Sequence, residues 1–268
     1  MKPRVLFLLL FLGALSLCLP HPAQSLTLTF GDNHISWPDR YLPDQRNSIN
    51  NDNIDTIGDP NFTGGTVIVN DNSQLTSIRF FFEEWGSVPT YNMLAPGDLF
   101  LDVDGDSQWD YVVYNPEDKH PMENGTAMTP TISTDWKLYF VPDSTDLGYE
   151  LSGTDNSGYW SGYYIRDSHP IGLKKKRLPY IRDLNQKVGF SGWGTTTLTF
   201  DFTKYNSAIP LSLPTNLTLG FAVNCANDVV YKTVHVHTPE PASMLLLGTG
   251  LVGLAGFARK RKNQKEGK

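Results

Sequence analysis

Four aspartates in one short stretch are the residues whose types and spacing most clearly indicate chemistry. Asp102, Asp104, Asp106 and Asp110 occupy the first, third, fifth and ninth places of a segment that also contains Gly105. This spacing lets a tight turn bring several carboxylates to one hard cation, and Ca²⁺ takes its oxygen ligands from loops of this kind. A bound cation would also offset the repulsion among the crowded acids. The sequence therefore predicts a Ca²⁺ site at these four aspartates.

The same stretch departs from an EF-hand and has a simpler explanation. Ser107 stands at the sixth place and Val113 at the twelfth, so the glycine and the bidentate glutamate of an EF-hand loop are missing. An Asp-Gly pair between two apolar runs is also typical of a β-hairpin turn with solvated carboxylates. The two interpretations are compatible, because a hairpin turn can itself hold an ion.

Catalytic patterns are weak in this sequence. The neighbouring Glu83 and Glu84 would point to opposite faces of a strand, whereas hydrolysis of a glycosidic bond needs two carboxylates that face each other. A catalytic thiol needs a nearby base, and nothing close in sequence to Cys225 supplies one. The chain has no HExxH, GxSxG or Walker A pattern. These observations favour a protein that is not an enzyme.

Further polar and aromatic groups could bind ions or glycans, and each also has a structural explanation as a solvated loop, a strand surface or packing. They are three acids near Asp32 (Asp52, Asp55, Asp59), two histidines on one face of a predicted strand (His235, His237), a basic run (Lys174–Arg177) and aromatic residues that could stack on sugar rings (Tyr159, Trp160, Tyr163, Tyr164, Phe190, Trp193).

The elements that must position these residues are predicted to be β-strands. The apolar pattern between the two ends of the chain has a period of two, and Gly, Pro, Asn, Asp and Ser fill the joints. Ten strands are predicted, at residues 26–30, 66–69, 75–83, 98–103, 109–114, 136–141, 159–165, 196–202, 217–224 and 229–236. We expect one all-β domain over residues 26–237, an antiparallel β-sandwich, a jelly roll or a similar barrel.

Charge is distributed unevenly along the 268 residues, which have a formal net charge of −6. Residues 1–25 carry two basic residues, and residues 238–268 carry six basic and two acidic ones. Residues 26–237 therefore hold 14 basic and 26 acidic residues. Such an acidic body is a poor partner for nucleic acid, which needs clustered Lys and Arg. It suits a solvated exterior or bound cations.

The N-terminal segment, residues 1–25, is typical of a secretory signal peptide. Two early basic residues precede an apolar run over 5–19, and Ala23 and Ser25 are the small residues that a signal peptidase reads. We expect cleavage after Ser25. Cys225 would then be the only cysteine of the mature chain, which excludes an internal disulfide.

The C-terminal segment, residues 238–268, has three parts in order. Pro239, Glu240 and Pro241 come first, an uncharged apolar run over 242–258 follows, and a basic tail over 259–268 comes last. A helix over the apolar run would be about 25 Å long, enough to cross a slightly thinned bilayer. The bases that follow it mark the cytoplasmic side; they are Arg259, Lys260, Arg261 and Lys262. We expect the C-terminus in the cytoplasm and the body on the outer side of the membrane.

This composite of Pro-Glu-Pro, apolar helix and basic tail resembles the PEP-CTERM sorting domain of exported bacterial proteins. The resemblance implies a Gram-negative bacterium that makes exopolysaccharide, and an exosortase, a membrane peptidase-like enzyme, that recognises and processes the tail. More loosely, residues 56–65, 98–111 and 225–229 resemble the bodies of exported PEP-CTERM proteins as a group, which implies no catalytic residue.

The sequence therefore predicts an exported protein of the cell envelope or extracellular matrix, anchored by its C-terminal helix before processing. We expect a non-enzymatic role, structural or in contact with a glycan such as exopolysaccharide, with stabilisation by Ca²⁺. The alternative is a secreted polysaccharide-modifying enzyme, which would require a cleft with two facing carboxylates.

Overall fold

The computed structural model describes residues 25–32, 61–83, 94–117, 119, 122–123, 126–127, 130–143, 145, 147–152, 170–204, 211, 213, 215–224, 226, 228–236 and 249–250. Several predictions lie outside these residues. They are the signal peptide, the Pro239–Glu240–Pro241 motif, the basic residues from Arg259 to Lys262, the acids Asp52, Asp55 and Asp59, Glu84, Cys225, His237 and the aromatic residues from Tyr159 to Tyr164.

Fourteen β-strands are described, and the pairs they form are antiparallel. They are β1 Leu26–Gly31, β2 Phe62–Val69, β3 Leu75–Phe82, β4 Leu99–Asp102, β5 Tyr111–Tyr114, β6 Met122–Glu123, β7 Thr126–Ala127, β8 Asp135–Phe140, β9 Tyr149–Leu151, β10 Pro170–Leu173, β11 Arg182–Ser191, β12 Thr197–Asp201, β13 Asn216–Ala222 and β14 Val229–His235. A 3-10 helix spans Lys175–Tyr180.

Ten of these strands form one sheet, in the order β1-β2-β3-β12-β11-β8-β5-β4-β13-β14. The last strand, β14, approaches β1 and β2, so the sheet is nearly closed and barrel-like. The expectation of an all-β, antiparallel fold is confirmed. In place of the two separate sheets of a sandwich, a single sheet curls round its own core, and this hides most of its edges.

Aromatic side chains fill the inside of the barrel. Phe80 is fully buried, stacked on Phe221 at 5.2 Å and set edge-on to Phe62 and Phe200. Trp136 stacks on Phe190 at 4.1 Å. In the second half of β3, Ile78, Phe80 and Phe82 are buried whereas Arg79 and Phe81 between them are less buried, as a period-two sequence predicts for a strand with one face on the core. The interior is therefore a packed core.

A second core lies on the outer face of the sheet, where the small sheet of β9 and β10 covers β4, β5, β8 and β13. All four residues of β4 are buried for this reason, with Leu99 and Leu101 facing the inner core and Phe100 facing the outer one. Elsewhere, as on β1, alternate residues remain exposed. One side of the barrel is thus two layers thick.

The predicted strands agree with the observed ones wherever the chain is described, and residues 159–165 lie outside that part. The longest strand missed by the sequence reasoning is β11, which runs over Arg182–Ser191. Its register shifts between Asp183 and Gln186, and Asn185 has φ of 54°, so the bulge breaks the period-two pattern.

Within the described part of the chain, no helix has the length and apolar character needed to cross a bilayer. Of the predicted transmembrane segment, only Thr249 and Gly250 are described, and both are helical.

Candidate metal site at one end of strand β4

The four predicted ligands lie in the turn of the β4–β5 hairpin. Strand β4 ends at Asp102 and β5 begins at Tyr111, with Leu101 opposite Tyr111 in the ladder. The backbone N–H of Asp110 donates to the carbonyl of Leu101 at 2.9 Å, which closes the hairpin. The hairpin predicted from the Asp-Gly pair is confirmed.

Three of the four aspartates come together in this turn. Asp102, Asp104 and Asp106 each offer a carboxylate oxygen, and the three oxygens lie within 4.8 Å of one another. Oxygens that each sit 2.3–2.6 Å from one Ca²⁺ ion are at most about 5 Å apart, so the spacing fits a shared ion. Asp102 is buried whereas Asp104 and Asp106 are exposed. An ion could therefore reach the group from solvent on the side of Asp104 and Asp106.

Backbone hydrogen bonds hold these carboxylates in place. Both oxygens of Asp102 accept N–H groups, Oδ1 from Gly105 at 2.6 Å and Oδ2 from Ser107 at 3.1 Å. Asp104 accepts the N–H of Asp106 at 3.0 Å. The turn requires left-handed backbone at Gly105 and Ser107, with φ of 81° and 75°. These bonds supply hydrogen-bond donors to the carboxylates, so the turn can keep this conformation with or without a bound ion.

Asp110 lies outside the group of three. Its Oδ2 accepts the N–H of Val103 at 2.6 Å. The pKa of Asp110 is raised to about 6, chiefly by burial and to a smaller extent by the charges of Asp104 and Asp102, while the hydrogen bond from the Val103 N–H acts in the opposite direction. Asp110 therefore helps to hold the turn, and its role as a fourth ligand stays a prediction.

Two residues of the neighbouring strands border the turn. Thr218 lies opposite Asp102 in the β4–β13 ladder, and the side-chain amide of Asn216 lies beside Gly105. The Oδ1 of Asn216 lies 2.8 Å from Nδ1 of His235. The sequence analysis missed Asn216, because only the strand register brings it to the turn.

The remaining candidates have different surroundings. Phe190 is buried against Trp136, so packing is confirmed for it and sugar stacking is wrong. Glu83 accepts a hydrogen bond from Asn61 at 2.8 Å. The basic run Lys174–Arg177 leads into the 3-10 helix, where Tyr180 is 67% exposed with the Arg177 guanidinium 6.0 Å from its ring.

A second acidic residue, Asp98, stands at the opposite end of β4 and was not singled out as a site by the sequence analysis. Its side chain is fully buried, and Oδ1 lies 3.3 Å from Nζ of Lys119, which is also buried. The N–H groups of Asn115 and Leu173 donate to Oδ1 at 2.7 Å and to Oδ2 at 2.6 Å. Burial raises the pKa of Asp98 to about 6, against the opposing effect of Lys119. No sequence pattern predicts that Asp98, Lys119 and Leu173 meet, because they are far apart along the chain.

Comparison with known protein families identifies the C-terminal segment. Residues 237–262 match the PEP-CTERM protein-sorting motif, which confirms the resemblance noted in the sequence. The motif implies an exported cell-surface protein that is membrane-anchored, sorted and processed by an exosortase. No curated protein and no solved structure matches the chain.

Proposed function

We propose that the protein is a non-enzymatic component of the cell envelope or extracellular matrix of a Gram-negative bacterium, displayed outside the inner membrane. The sorting motif at residues 237–262 is the observation that carries this proposal. The described part of the body supports it, because its aromatic interior is a packed core of the kind that stabilises a scaffold.

Truncation of the tail tests the sorting part of the proposal. A chain ending at residue 238 lacks the Pro-Glu-Pro motif, the apolar run and the basic tail, and we expect it to be lost from the membrane fraction and the cell surface. A chain lacking only residues 263–268, outside the matched segment, is the matched control and should locate normally. Normal surface location of the longer truncation would contradict the proposal.

We further propose that the β4–β5 turn binds Ca²⁺ outside the cell. The three clustered carboxylates of Asp102, Asp104 and Asp106 support this, together with the acidic excess of the body. Extracellular Ca²⁺ modules with few charged ligands typically have dissociation constants of about 10⁻⁴–10⁻³ M. Such a site is occupied where millimolar Ca²⁺ is present, so the ion would stabilise the exported form. Isothermal titration with Ca²⁺ on the full chain, compared with Asp104→Asn, measures this directly.

The same proposal includes contact with exopolysaccharide, for which the 3-10 helix is the best-placed described surface. Tyr180 presents an exposed ring suited to stacking on a sugar, and Lys175 and Lys176 beside it are exposed cations suited to an anionic polymer. A glycan array with the full chain and with Tyr180→Ala tests this contact. Equal signals from the two proteins would place any glycan contact elsewhere.

A further inference from the structure

Lys119 and Asp98 form a buried pair of groups that can react with each other. The proposed envelope role does not involve this pair. A primary amine and a carboxyl group face each other here with side chains only 3% and 0% exposed. We propose that Lys119 and Asp98 join in an intramolecular isopeptide bond, which covalently closes the β4–β5 hairpin at the end opposite the acidic turn.

The geometry brings the reacting groups together. Nζ of Lys119 lies 3.3 Å from Oδ1 of Asp98, the oxygen that leaves in the reaction, so the amine is held in direct contact with the carboxyl group that it attacks. The position of Nζ is further defined by the ring of Tyr114 at 4.1 Å and the carbonyl of Asn115 at 3.3 Å. The carboxyl group is held by two backbone N–H groups. Neither partner needs a large movement to meet the other.

The buried environment favours the neutral forms that react. An amine attacks a protonated carboxyl group, and a dry site favours a neutral pair over two separated charges. Burial raises the pKa of Asp98 to about 6, in the direction of the protonated acid. Transfer of one proton from the Lys119 ammonium to the Asp98 carboxylate makes both groups neutral without any outside reagent.

The reaction balances within the pair. The nitrogen lone pair of Lys119 forms a bond to the carboxyl carbon, and Oδ2 takes the negative charge while it accepts the N–H of Leu173. A proton passes from nitrogen to the hydroxyl at Oδ1, the carbon–oxygen bond breaks, and one water leaves. No oxidant, reductant or co-reactant is required.

The product amide inherits hydrogen-bond partners that the structure already provides. Its carbonyl oxygen, the former Oδ2, keeps the N–H of Leu173, and its N–H faces the carbonyl of Asn115. A buried amide with both groups satisfied replaces a buried ion pair, which removes the desolvation penalty of two charges.

Gly172 gives the Lys119 side chain the room that it needs. A Cβ at position 172 would lie 2.6 Å from Cε of Lys119 and 2.7 Å from Oδ2 of Asp98. Any larger residue would therefore displace the pair. A covalent tie also suits an exported body in which Cys225 is the only cysteine after the predicted signal cleavage, since an internal disulfide is not available to it.

Peptide mapping of the folded full-length protein, denatured and digested with trypsin, tests the bond. Both residues fall in the tryptic peptide 80–119, because no Lys or Arg lies between Arg79 and Lys119. An amide at Lys119 blocks cleavage there, so we expect the peptide 80–137, lighter by one water, in place of 80–119. Fragmentation should place the cross-link between Asp98 and Lys119.

Two controls separate the bond from other causes of the same signals. Loss of water at the Asp104–Gly105 step by succinimide formation would lighten the peptide but leave Lys119 cleavable, and a missed cleavage alone would not change the mass. Lys119→Arg keeps a cationic side chain and a tryptic site, and should yield the peptide 80–119 at its full sequence mass. Gly172→Ala should lower the cross-linked fraction.

Recovery of unmodified 80–119 as the main species from the folded wild-type chain would overturn the proposal. A lightened 80–119 that is still cleaved after Lys119 would overturn it as well, since it marks the succinimide. These outcomes need no variant to fold, so a destabilised Lys119→Arg chain does not weaken the test.

Discussion

The two ends of strand β4 use an aspartate in opposite ways. At one end, Asp98 is sealed under β10 and faces Lys119, so the chain supplies the positive partner itself. At the other end, Asp102 lies against Asp104 and Asp106, and the turn opens to solvent. Only three residues lie between Asp98 and Asp102, yet Asp98 is part of the protein's core and Asp102 forms a candidate site for an external cation.

This difference follows from what covers each end. The small sheet of β9 and β10 forms the outer core over the Asp98 end, where burial makes an unpaired charge costly. The turn at the Asp102 end is held by its own backbone N–H groups and by Asp110. A carboxylate beneath a covering layer needs an internal partner, whereas carboxylates at an exposed turn can exchange an ion with the surroundings.

The largest effect is expected from Lys119→Met at the buried end. Where the pair is ionic, removing the cation leaves the Asp98 carboxylate buried without compensation, and loss of one partner of a buried pair lowers the free energy of unfolding by about 3–5 kcal/mol. Where the proposed amide has formed, the same substitution removes the cross-link, which also lowers the free energy of unfolding. Urea denaturation measures the change. Lys137→Met, which breaks an exposed pair with Asp183 at 3.5 Å, is the matched control, and it should lower the free energy by no more than about 1 kcal/mol. Equal effects of the two substitutions would contradict the comparison.

Calcium should stabilise the exposed end by a smaller amount. A ligand that binds only the folded state adds about 2.7 kcal/mol at a concentration of one hundred times Kd, so Tm should rise with Ca²⁺. Asp104→Asn and Asp106→Asn should each weaken that rise. Asp71→Asn removes an exposed acid from the β2–β3 turn and should leave it unchanged. An unchanged Tm of the wild-type chain in Ca²⁺ would remove the ion from the proposed function.

Gly172→Ala tests the packing that holds the buried pair. The added Cβ would meet both Lys119 and Asp98 at less than 3.0 Å, and overpacking of this kind lowers the free energy of unfolding by about 1–3 kcal/mol. Gly31→Ala is the control, because a Cβ there meets nothing within 4 Å. Thermal melting of both variants should show a clearly larger loss for Gly172→Ala.

The smallest effect concerns pH at the exposed end. The pKa of Asp110 is raised from 3.8 to about 6 in the folded protein, so the folded state binds more protons than the unfolded state between these values. The contribution of Asp110 to stability without Ca²⁺ should therefore be greatest below about pH 4 and decrease as pH rises to 6, by less than about 1.4 kcal/mol per pH unit because Asp110 is only half-buried. The pKa of Asp98 is also raised to about 6 and, where its carboxyl group is free, it contributes in the same direction, so the difference between wild type and Asp110→Asn measures the Asp110 part. Asp110→Asn should flatten this slope in melting experiments. A slope of opposite sign would contradict the assignment.

Local patterns predicted most of the described strands and the acidic hairpin, because both depend on short-range rules. The alternation of apolar and polar residues in β3 and the Asp-Gly pair at Asp104–Gly105 can be recognised from neighbouring residues alone. Strand β11 escaped prediction because its bulge breaks the period. The barrel-like closure could not be predicted, since it depends on which strands pair across long stretches of chain.

By itself, the sequence determined the all-β class, the acidic turn and the C-terminal sorting motif, because each is written in contiguous residues. Only the tertiary structure decided that Asp110 braces the turn and that Asn216 borders it. It alone placed three residues together: Asp98, which directly precedes β4, Lys119, which lies in the segment after β5, and Leu173 of β10. Burial and strand register bring distant residues into contact, and neither is expressed in the spacing of residues along the chain.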